Sequence, residues 1–161
     1  MSTVGQFRDE VTSTHQRFLD AVEPLGDAAL ENEPACGTWP VREVAGHLAA
    51  WNLLILAWAR ALLDGTQADL QPIRDFDGFN AESAVRTSHM SWAAVKAELD
   101  ATIASAEQFI SGLTDDQLAL PANCPWGRPS TLHGLLRGID EHEEEHLHEL
   151  LVWLEGRTTP A

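Results

Sequence analysis

The stretch GLLRGIDEHEEEHLHELLVWL, from Gly134 to Leu154, decides the fold. Its apolar residues recur at the spacing of one face of an α-helix. Together with Leu132, two residues before the stretch, they form a single stripe: Leu135, Leu136, Ile139, Leu150, Trp153 and Leu154. The pattern predicts a long amphipathic helix over residues 130–155, with Ser130 as its N-cap and one face packed against partner helices.

Three further stretches show the same helical period. They predict helices over residues 4–25, over residues 38–63 with Thr38 as N-cap, and from Phe79 or Asn80 to residue 113 with a break at residues 88–91. The connections between them, including TQADLQPIRDFDG and TDDQLALPANCPWGRPS, are predicted to be loops, and no strand is predicted. Residues 1–161 are therefore predicted to form a single all-α domain, a four-helix bundle with long inter-helix connections.

The charge of the chain is strongly negative, at −15, and its ten Lys and Arg residues form no cluster. Proteins that bind nucleic acid or anionic membranes neutralise phosphates with basic residues, so we predict neither partner. The sequence shows no apolar run long enough to span a membrane and no secretory leader. Cys36 and Cys124 form no C-x-x-C pair, which favours a reducing, cytoplasmic location.

The histidines of the last helix fall on two different faces. At about 100° per residue, His142, Glu143 and His146 lie on or beside the apolar stripe, whereas His133, Glu144, Glu145 and His148 lie farther out. A buried glutamate between two inward histidines is costly unless a partner neutralises it. On the second predicted helix, His47 lies at the edge of the apolar stripe beside Leu48 and Trp51.

These positions suit a metal site. His142 and His146 are four residues apart, so both rings can reach one cation. His47 from a facing helix would complete three imidazole ligands and leave positions open, as a catalytic site requires. The admissible divalent metals are zinc, nickel, iron and manganese. Glu143 is then a ligand, an outer hydrogen-bond acceptor or a catalytic base, and His15, in the stripe of the first helix, is an extra ligand or a core residue.

Other site types fit less well. HEEEH is literally the H-E-x-x-H zincin pattern, but no third ligand follows at the zincin spacing. A carboxylate-bridged di-iron bundle needs Glu-x-x-His on two helices, and Glu43 and His47 are one residue too far apart. Cys36 and Cys124 are isolated in predicted loops, which argues against a thiolate zinc site.

Three motifs resemble the DinB/YfiT-like superfamily, and most of all its DfsB/ClbS-like branch. They are GTWPVREVAGHLAAWN at the second helix, DGFNAE at the third, and the final-helix stretch quoted above. The resemblance implies a four-helix bundle, often a homodimer, that holds a divalent metal through His47, His142 and His146. It also implies the activities known in the superfamily: thiol S-transfer with bacillithiol or mycothiol, maleylpyruvate isomerisation and cyclopropane hydrolysis.

The sequence therefore predicts a metal-dependent thiol S-transferase or hydrolase that acts on an electrophilic small molecule. Bound to the cation, a thiol or water loses its proton near neutral pH, and Glu143 is the predicted catalytic base. Trp39, Trp51 and Trp58 are candidates for an apolar wall beside the metal. The alternatives are a resistance protein that sequesters its ligand without turnover, and a structural bundle whose histidines are core residues.

Overall fold

The structure, a computed structural model, describes residues 3–158. Within this range the chain forms seven α-helices and one small hairpin. Their bounds are α1 (Val4–Val22), α2 (Asp27–Asn32), α3 (Val41–Leu63), α4 (Phe76–Thr87), α5 (Trp92–Ser111), α6 (Asp115–Leu118), β1 (Pro121–Asn123), β2 (Pro129–Thr131) and α7 (Leu132–Thr158). The all-α prediction is confirmed. The prediction of one domain over residues 1–161 stays a prediction, because its ends lie outside the described residues.

Helices α1, α3, α5 and α7 form the bundle, in which α3 packs against α5 and α7, and α1 packs against the same two helices. The predicted break at residues 88–91 is confirmed, because α4 ends at Thr87 and α5 begins after Ser91. The Ser91 hydroxyl accepts a hydrogen bond from the backbone of Ala94 and caps α5. Helix α4 begins earlier than predicted, since the Asp75 carboxylate caps the backbone of Gly78.

Two predicted helix starts are wrong by one or two residues. Thr38 lies in the turn between Cys36 and Trp39, which form an antiparallel bridge, and α3 begins only after Pro40. Ser130 belongs to β2, and the Thr131 hydroxyl accepts a hydrogen bond from the Gly134 backbone at the start of α7. Ser130 is thus paired with Ala122 in the hairpin, and Thr38 is held in the turn that the Cys36–Trp39 bridge closes.

The connection over residues 114–130, predicted to be loop, contains α6 and the antiparallel β1–β2 hairpin. Each strand has only three residues, which is too short for an alternating pattern to be visible in the sequence. The hairpin turns at Gly127, whose φ of 81° lies in the left-handed region that glycine adopts without strain. This hairpin places Trp126 beside α7, which matters for the site described below.

The core consists of two apolar clusters along the bundle axis, with a polar layer between them. One cluster contains Phe7, Ile55, Ile103 and Ile139, and the other contains Phe18, Leu48, Leu99 and Leu147. Four buried polar side chains lie between these groups, one from each bundle helix: His15, Asn52, Thr102 and Glu143. The Asn52 amide donates to the Thr102 hydroxyl at 3.0 Å, and His15 bonds to Glu143 at 2.8 Å.

Helix α3 is long and apolar enough to cross a membrane by length and composition alone, with a mean hydropathy of 1.3 in its most apolar window. Core helices of soluble proteins pass the same test, and 56% of that window is buried inside the bundle. The helix packs against α4, α5 and α7, as the central helix of a soluble globular domain does.

Replacing Gly46 by alanine is expected to destabilise the fold. A Cβ at this position of α3 would lie 2.3 Å from Cγ2 of Thr87, which is fully buried on α4. Such overpacking costs about 1–3 kcal/mol. The control is Gly156→Ala, at a helical position where a Cβ meets nothing within 4 Å. Urea unfolding should show a lower free energy of unfolding for Gly46→Ala and none of this loss for Gly156→Ala. Equal stabilities of the two variants would contradict the close packing of α3 and α4.

Candidate metal centre

The structure brings together the three histidines that the sequence predicts as metal ligands. His47 comes from α3, and His142 and His146 lie one turn apart on α7. One potential ligand atom from each ring lies within 4.8 Å of the others. The Nε2 atoms of His47 and His142 are 3.0 Å apart. The triad lies beside the polar layer of the core, where α3 and α7 pack against each other.

Hydrogen-bond partners fix the tautomers of two of these rings. The Ser83 hydroxyl donates to the Asn80 carbonyl at 2.8 Å, so its oxygen accepts from Nδ1–H of His47 at 3.2 Å. The Glu149 carboxylate, which can only accept when ionised, binds Nδ1–H of His146 at 3.0 Å. Both rings are therefore left with a lone pair on Nε2. This is the usual way in which an outer partner orients a ligating imidazole.

Burial favours the neutral form of two of the rings, His47 and His142. The pKa of His47 is lowered to about 4 by burial and by the neighbouring His146. The pKa of His142 is lowered to about 3, again by burial first and then by His146 and His47. A neutral imidazole is the form that binds a metal, so at neutral pH no proton competes for these two ligands.

The donor set fits one divalent cation. Imidazole nitrogens bind zinc at about 2.0–2.1 Å, and two nitrogens 3.0 Å apart can both reach one ion at that distance. Without a cation, the two facing Nε2 atoms can share only one proton between them. The set is all nitrogen, which suits zinc, nickel or iron more than a hard cation such as magnesium.

Glu143 does not join the triad. Successive residues of a helix point about 100° apart, so a side chain next to His142 faces a different neighbour. The Glu143 carboxylate, 1% exposed, points to α1, where its Oε1 lies 2.8 Å from Nδ1 of His15. Its Oε2 is buried without a hydrogen-bond partner in the described structure. The predicted role of Glu143 as catalytic base stays a prediction.

His15 belongs to this buried pair and is absent from the group of close ligand atoms. Its Nε2 lies 3.0 Å from the Asp100 carboxylate, which Lys96 binds at 2.7 Å. Burial alone would lower the pKa of His15, but the bonds and charges of Glu143 and Asp100 outweigh burial and raise it. Burial raises the pKa of Glu143 despite the bond to His15. These contacts tie His15 and Glu143 to each other across α1 and α7.

Cys36 is a neighbour of the triad that sequence reasoning missed. Its Sγ forms a second group of close ligand atoms with His146 and Glu149, all within 4.8 Å. Burial and the nearby Glu149 raise the pKa of Cys36 to about 12, so its thiol is protonated at neutral pH. Cys124 is also buried, and burial raises the pKa of its thiol. The bridge between Cys36 and Trp39 places the thiol beside α7, and the local sequence gives no sign of it.

A cavity of about 330 Å³ opens beside the triad, within the range of small-molecule sites. Its lining contains His142 of the triad, an aromatic group and two acids: Trp51, Ile55, Phe76, Trp126, Gly138, Glu141, His142 and Glu145. Of the three predicted wall residues only Trp51 lines this cavity. The Trp39 ring contacts His47, with centroids 5.0 Å apart, and Trp58 is a core residue. Trp126 was missed because it lies in the unpredicted hairpin.

Fold and site together define an all-α bundle protein with a histidine triad shared by its second and last long helices. The chain belongs to the DinB superfamily, whose sequence profile matches residues 10–150. No curated protein matches the chain by sequence.

Solved structures share this fold. DfsB, described as a sibling lethal factor precursor, aligns over 99% of both chains with 10% identity and a TM-score of 0.78. The colibactin self-resistance protein ClbS, in complex with double-stranded DNA, aligns over 96% of this chain and 97% of its own, with 12% identity and a TM-score of 0.77. An uncharacterised protein from Escherichia coli UTI89 covers 100% of this chain and 98% of its own, with 15% identity and a TM-score of 0.78. The resemblance to DfsB and ClbS is confirmed at the level of the fold.

The prediction that nucleic acid is not a partner is wrong, because the ClbS structure shows a protein of this fold bound to double-stranded DNA. That prediction rested on the net charge of the chain. Net charge sums over the whole surface, whereas a contact depends on the local arrangement of donors and charges. Composition was therefore insufficient to exclude this partner.

Proposed function

We propose that the chain is a metal-dependent enzyme that transfers a low-molecular-weight thiol to an electrophilic small molecule, or hydrolyses such a molecule. The proposal rests on one observation: three histidines converge beside an aromatic cavity, and two of them are held as the tautomer with a free Nε2. Zinc, nickel, iron and manganese remain the candidate metals. The homodimer and the cytoplasmic location remain predictions.

The residues of the chain have separate roles in this proposal. His47, His142 and His146 hold the cation, while Ser83 and Glu149 orient two of their rings. A bound divalent cation lowers the pKa of a coordinated thiol or water and so supplies a nucleophile at neutral pH. Trp51, Phe76 and Trp126 form the apolar part of the cavity wall, where a substrate would displace water. Glu143 is kept as the candidate base, to be tested by Glu143→Gln.

The second candidate function is sequestration of a small molecule without turnover. It is favoured by the cavity itself, which offers a binding volume whether or not chemistry follows, and by the self-resistance role of ClbS, a protein of the same fold. The DNA complex of ClbS makes double-stranded DNA a further ligand to test on this chain.

The first experiment measures metal content in protein purified without nickel resin. We expect about one equivalent of metal per chain, since one triad is present in the described structure. The variant His142→Ala/His146→Ala should retain almost none. His148→Ala, which removes an exposed histidine of the same helix, is the matched control and should keep the metal. No metal in the wild type after incubation with zinc, nickel, iron and manganese would reject the metalloenzyme.

The second experiment separates the activities. The metal-loaded protein is incubated with monochlorobimane and with bacillithiol, mycothiol, cysteine or no thiol. Turnover that needs a thiol identifies a transferase, and loss of halide without thiol identifies a hydrolase. Stoichiometric binding without turnover would favour sequestration. Metal loading and turnover should disappear together in His142→Ala/His146→Ala and persist in His148→Ala.

A further inference from the structure

We propose that the cavity beside the triad recognises a small molecule that carries a cationic group, an ammonium in particular. The inference extends the proposed function by naming the substrate class of the same site. The recognition itself depends only on the cavity wall, which combines aromatic rings with two carboxylates. Aromatic faces and carboxylates are the two kinds of group that bind organic cations.

The aromatic side of the cavity is held in a fixed orientation. The Trp51 and Phe76 rings are nearly parallel, at 10°, with centroids 6.0 Å apart. Phe79 makes a T-shaped contact with Trp51, with centroids 5.0 Å apart, and the indole N–H of Trp51 donates to the Asn80 side chain at 3.0 Å. A ring that is already oriented loses little conformational entropy when a ligand binds against it.

Trp126 supplies the third ring, and Gly138 allows it to approach α7. A Cβ at Gly138 would lie 2.9 Å from Cη2 of Trp126 and 3.1 Å from Cδ1 of Ile55, both closer than ordinary contacts. Any larger residue at this position would push the indole away from the helix. The chain thus brings a tryptophan from the β1–β2 hairpin against the helix that carries His142.

The polar side of the cavity is negative. Glu141 and Glu145 lie one turn apart on α7 and both line the cavity. Glu145 has no hydrogen-bond or ion-pair partner among the described residues, whereas Glu141 is bound by Arg137 at 3.2 Å. Within the described part of the chain the lining contains no lysine or arginine. A net charge of −15 adds to the attraction of cations from solution.

These carboxylates also make a cationic substrate compatible with the metal. Glu141 lies one position before His142 on α7 and Glu145 lies three positions after it. The two carboxylates therefore flank His142, the triad histidine that lines the cavity. A divalent cation on the triad would repel an ammonium, and two adjacent carboxylates offset this repulsion. A cavity built for a neutral apolar ligand would gain nothing from them, and an anionic ligand would be repelled.

The test compares choline with its uncharged isostere, in which a tert-butyl group replaces the trimethylammonium group. Binding is followed by tryptophan fluorescence and by calorimetry, in metal-free and in zinc-loaded protein. We expect choline to bind about tenfold more tightly than the isostere, because shape is matched and only the charge differs. Higher salt should weaken choline binding and leave the isostere unchanged.

Variants assign the effect to the cavity. Glu145→Gln and Trp126→Leu should each weaken choline binding about three- to tenfold. Glu144→Gln changes the net charge by the same amount at the adjacent position, outside the cavity lining, and should leave choline binding unchanged. Equal affinity for choline and the isostere, or no binding of either, would overturn the inference.

The outcome is separable from that of the proposed function, because metal content is measured on the same preparations. Metal retained without a preference for choline rejects only the cationic substrate. A preference for choline in protein that binds none of the four metals rejects the metalloenzyme and leaves a cation-binding cavity in place.

Discussion

Lowering the pH of the metal-free protein from about 7.5 to about 5 is expected to reduce its free energy of unfolding by up to about 2 kcal/mol for each of His47 and His142. His47 is buried and His142 is half-buried, and both are neutral in the folded state, where their pKa values are lowered to about 4 and about 3. In the unfolded chain each has the ordinary pKa of 6.5 and takes up a proton below it. Acid therefore favours the unfolded state.

The sign of the effect is opposite for His15. Its pKa is raised in the folded state by Glu143 and Asp100, so its contribution to stability is present below pH 6.5 and is lost as pH rises through the folded pKa. The stabilising contributions of His47 and His142 are lost in the opposite direction, as the pH falls from 6.5 towards 4. Acid protonation of surface carboxylates adds a background that is common to all variants.

The measurement is urea unfolding at several pH values in the presence of a chelator, for wild type and for His47→Gln, His142→Gln and their combination. The double variant should lose about 4 kcal/mol less than wild type over this range. His148→Gln, an exposed histidine of α7, is the matched control and should follow wild type. If the free energy of unfolding depends on pH in the same way in wild type and in the double variant, the two rings are not held neutral in the folded state.

The bundle and the triad could be predicted from the sequence because both depend on helical period. The stripe of α7 fixes which of its side chains face inward, and this was enough to select His142, Glu143 and His146 and to leave His148 outside. His47 followed from the same argument on α3. The histidines converge as predicted because α3 and α7 are neighbours in the bundle.

Helical period could not predict which neighbour each inward residue meets. Glu143 was correctly placed on the buried face, yet its partner is His15 on α1 and not a group at the triad. The orientation of one helix says nothing about which helix packs on each side of it. Cys36 and Trp126 were missed for a different reason: turns and a three-residue-strand hairpin carry them to the site, and such elements have no periodic signal.

Replacing His15 by leucine is expected to be among the most destabilising single substitutions in the chain, at about 3–5 kcal/mol. The Glu143 carboxylate is 1% exposed, and its hydrogen bond at 2.8 Å is to His15. Without the imidazole, a buried carboxylate has to stay charged and unpaired or become protonated, and both cost free energy. Asp100 loses a partner as well, but it is half-exposed and keeps its ion pair with Lys96.

A double-mutant cycle isolates this pair from the packing of the side chains. Glu143→Leu alone should cost less than His15→Leu, since His15 keeps its bond to Asp100. In the double variant both polar groups are gone and the layer becomes apolar, so most of the loss should be recovered, with a coupling energy of about 2–3 kcal/mol. Chemical unfolding at neutral pH measures all four corners.

The same variants test the two roles open to Glu143. If it is a structural partner of His15, the double variant folds, binds metal and keeps its turnover, because the triad does not depend on the pair. If it is the catalytic base, the double variant is stable and metal-loaded but inactive, and Glu143→Gln is inactive too. If the losses of unfolding free energy in the two single variants simply add in the double variant, positions 15 and 143 are not coupled. That result would contradict the contact between His15 and Glu143. It would also remove the explanation of how an acid can be buried next to His142 in the sequence.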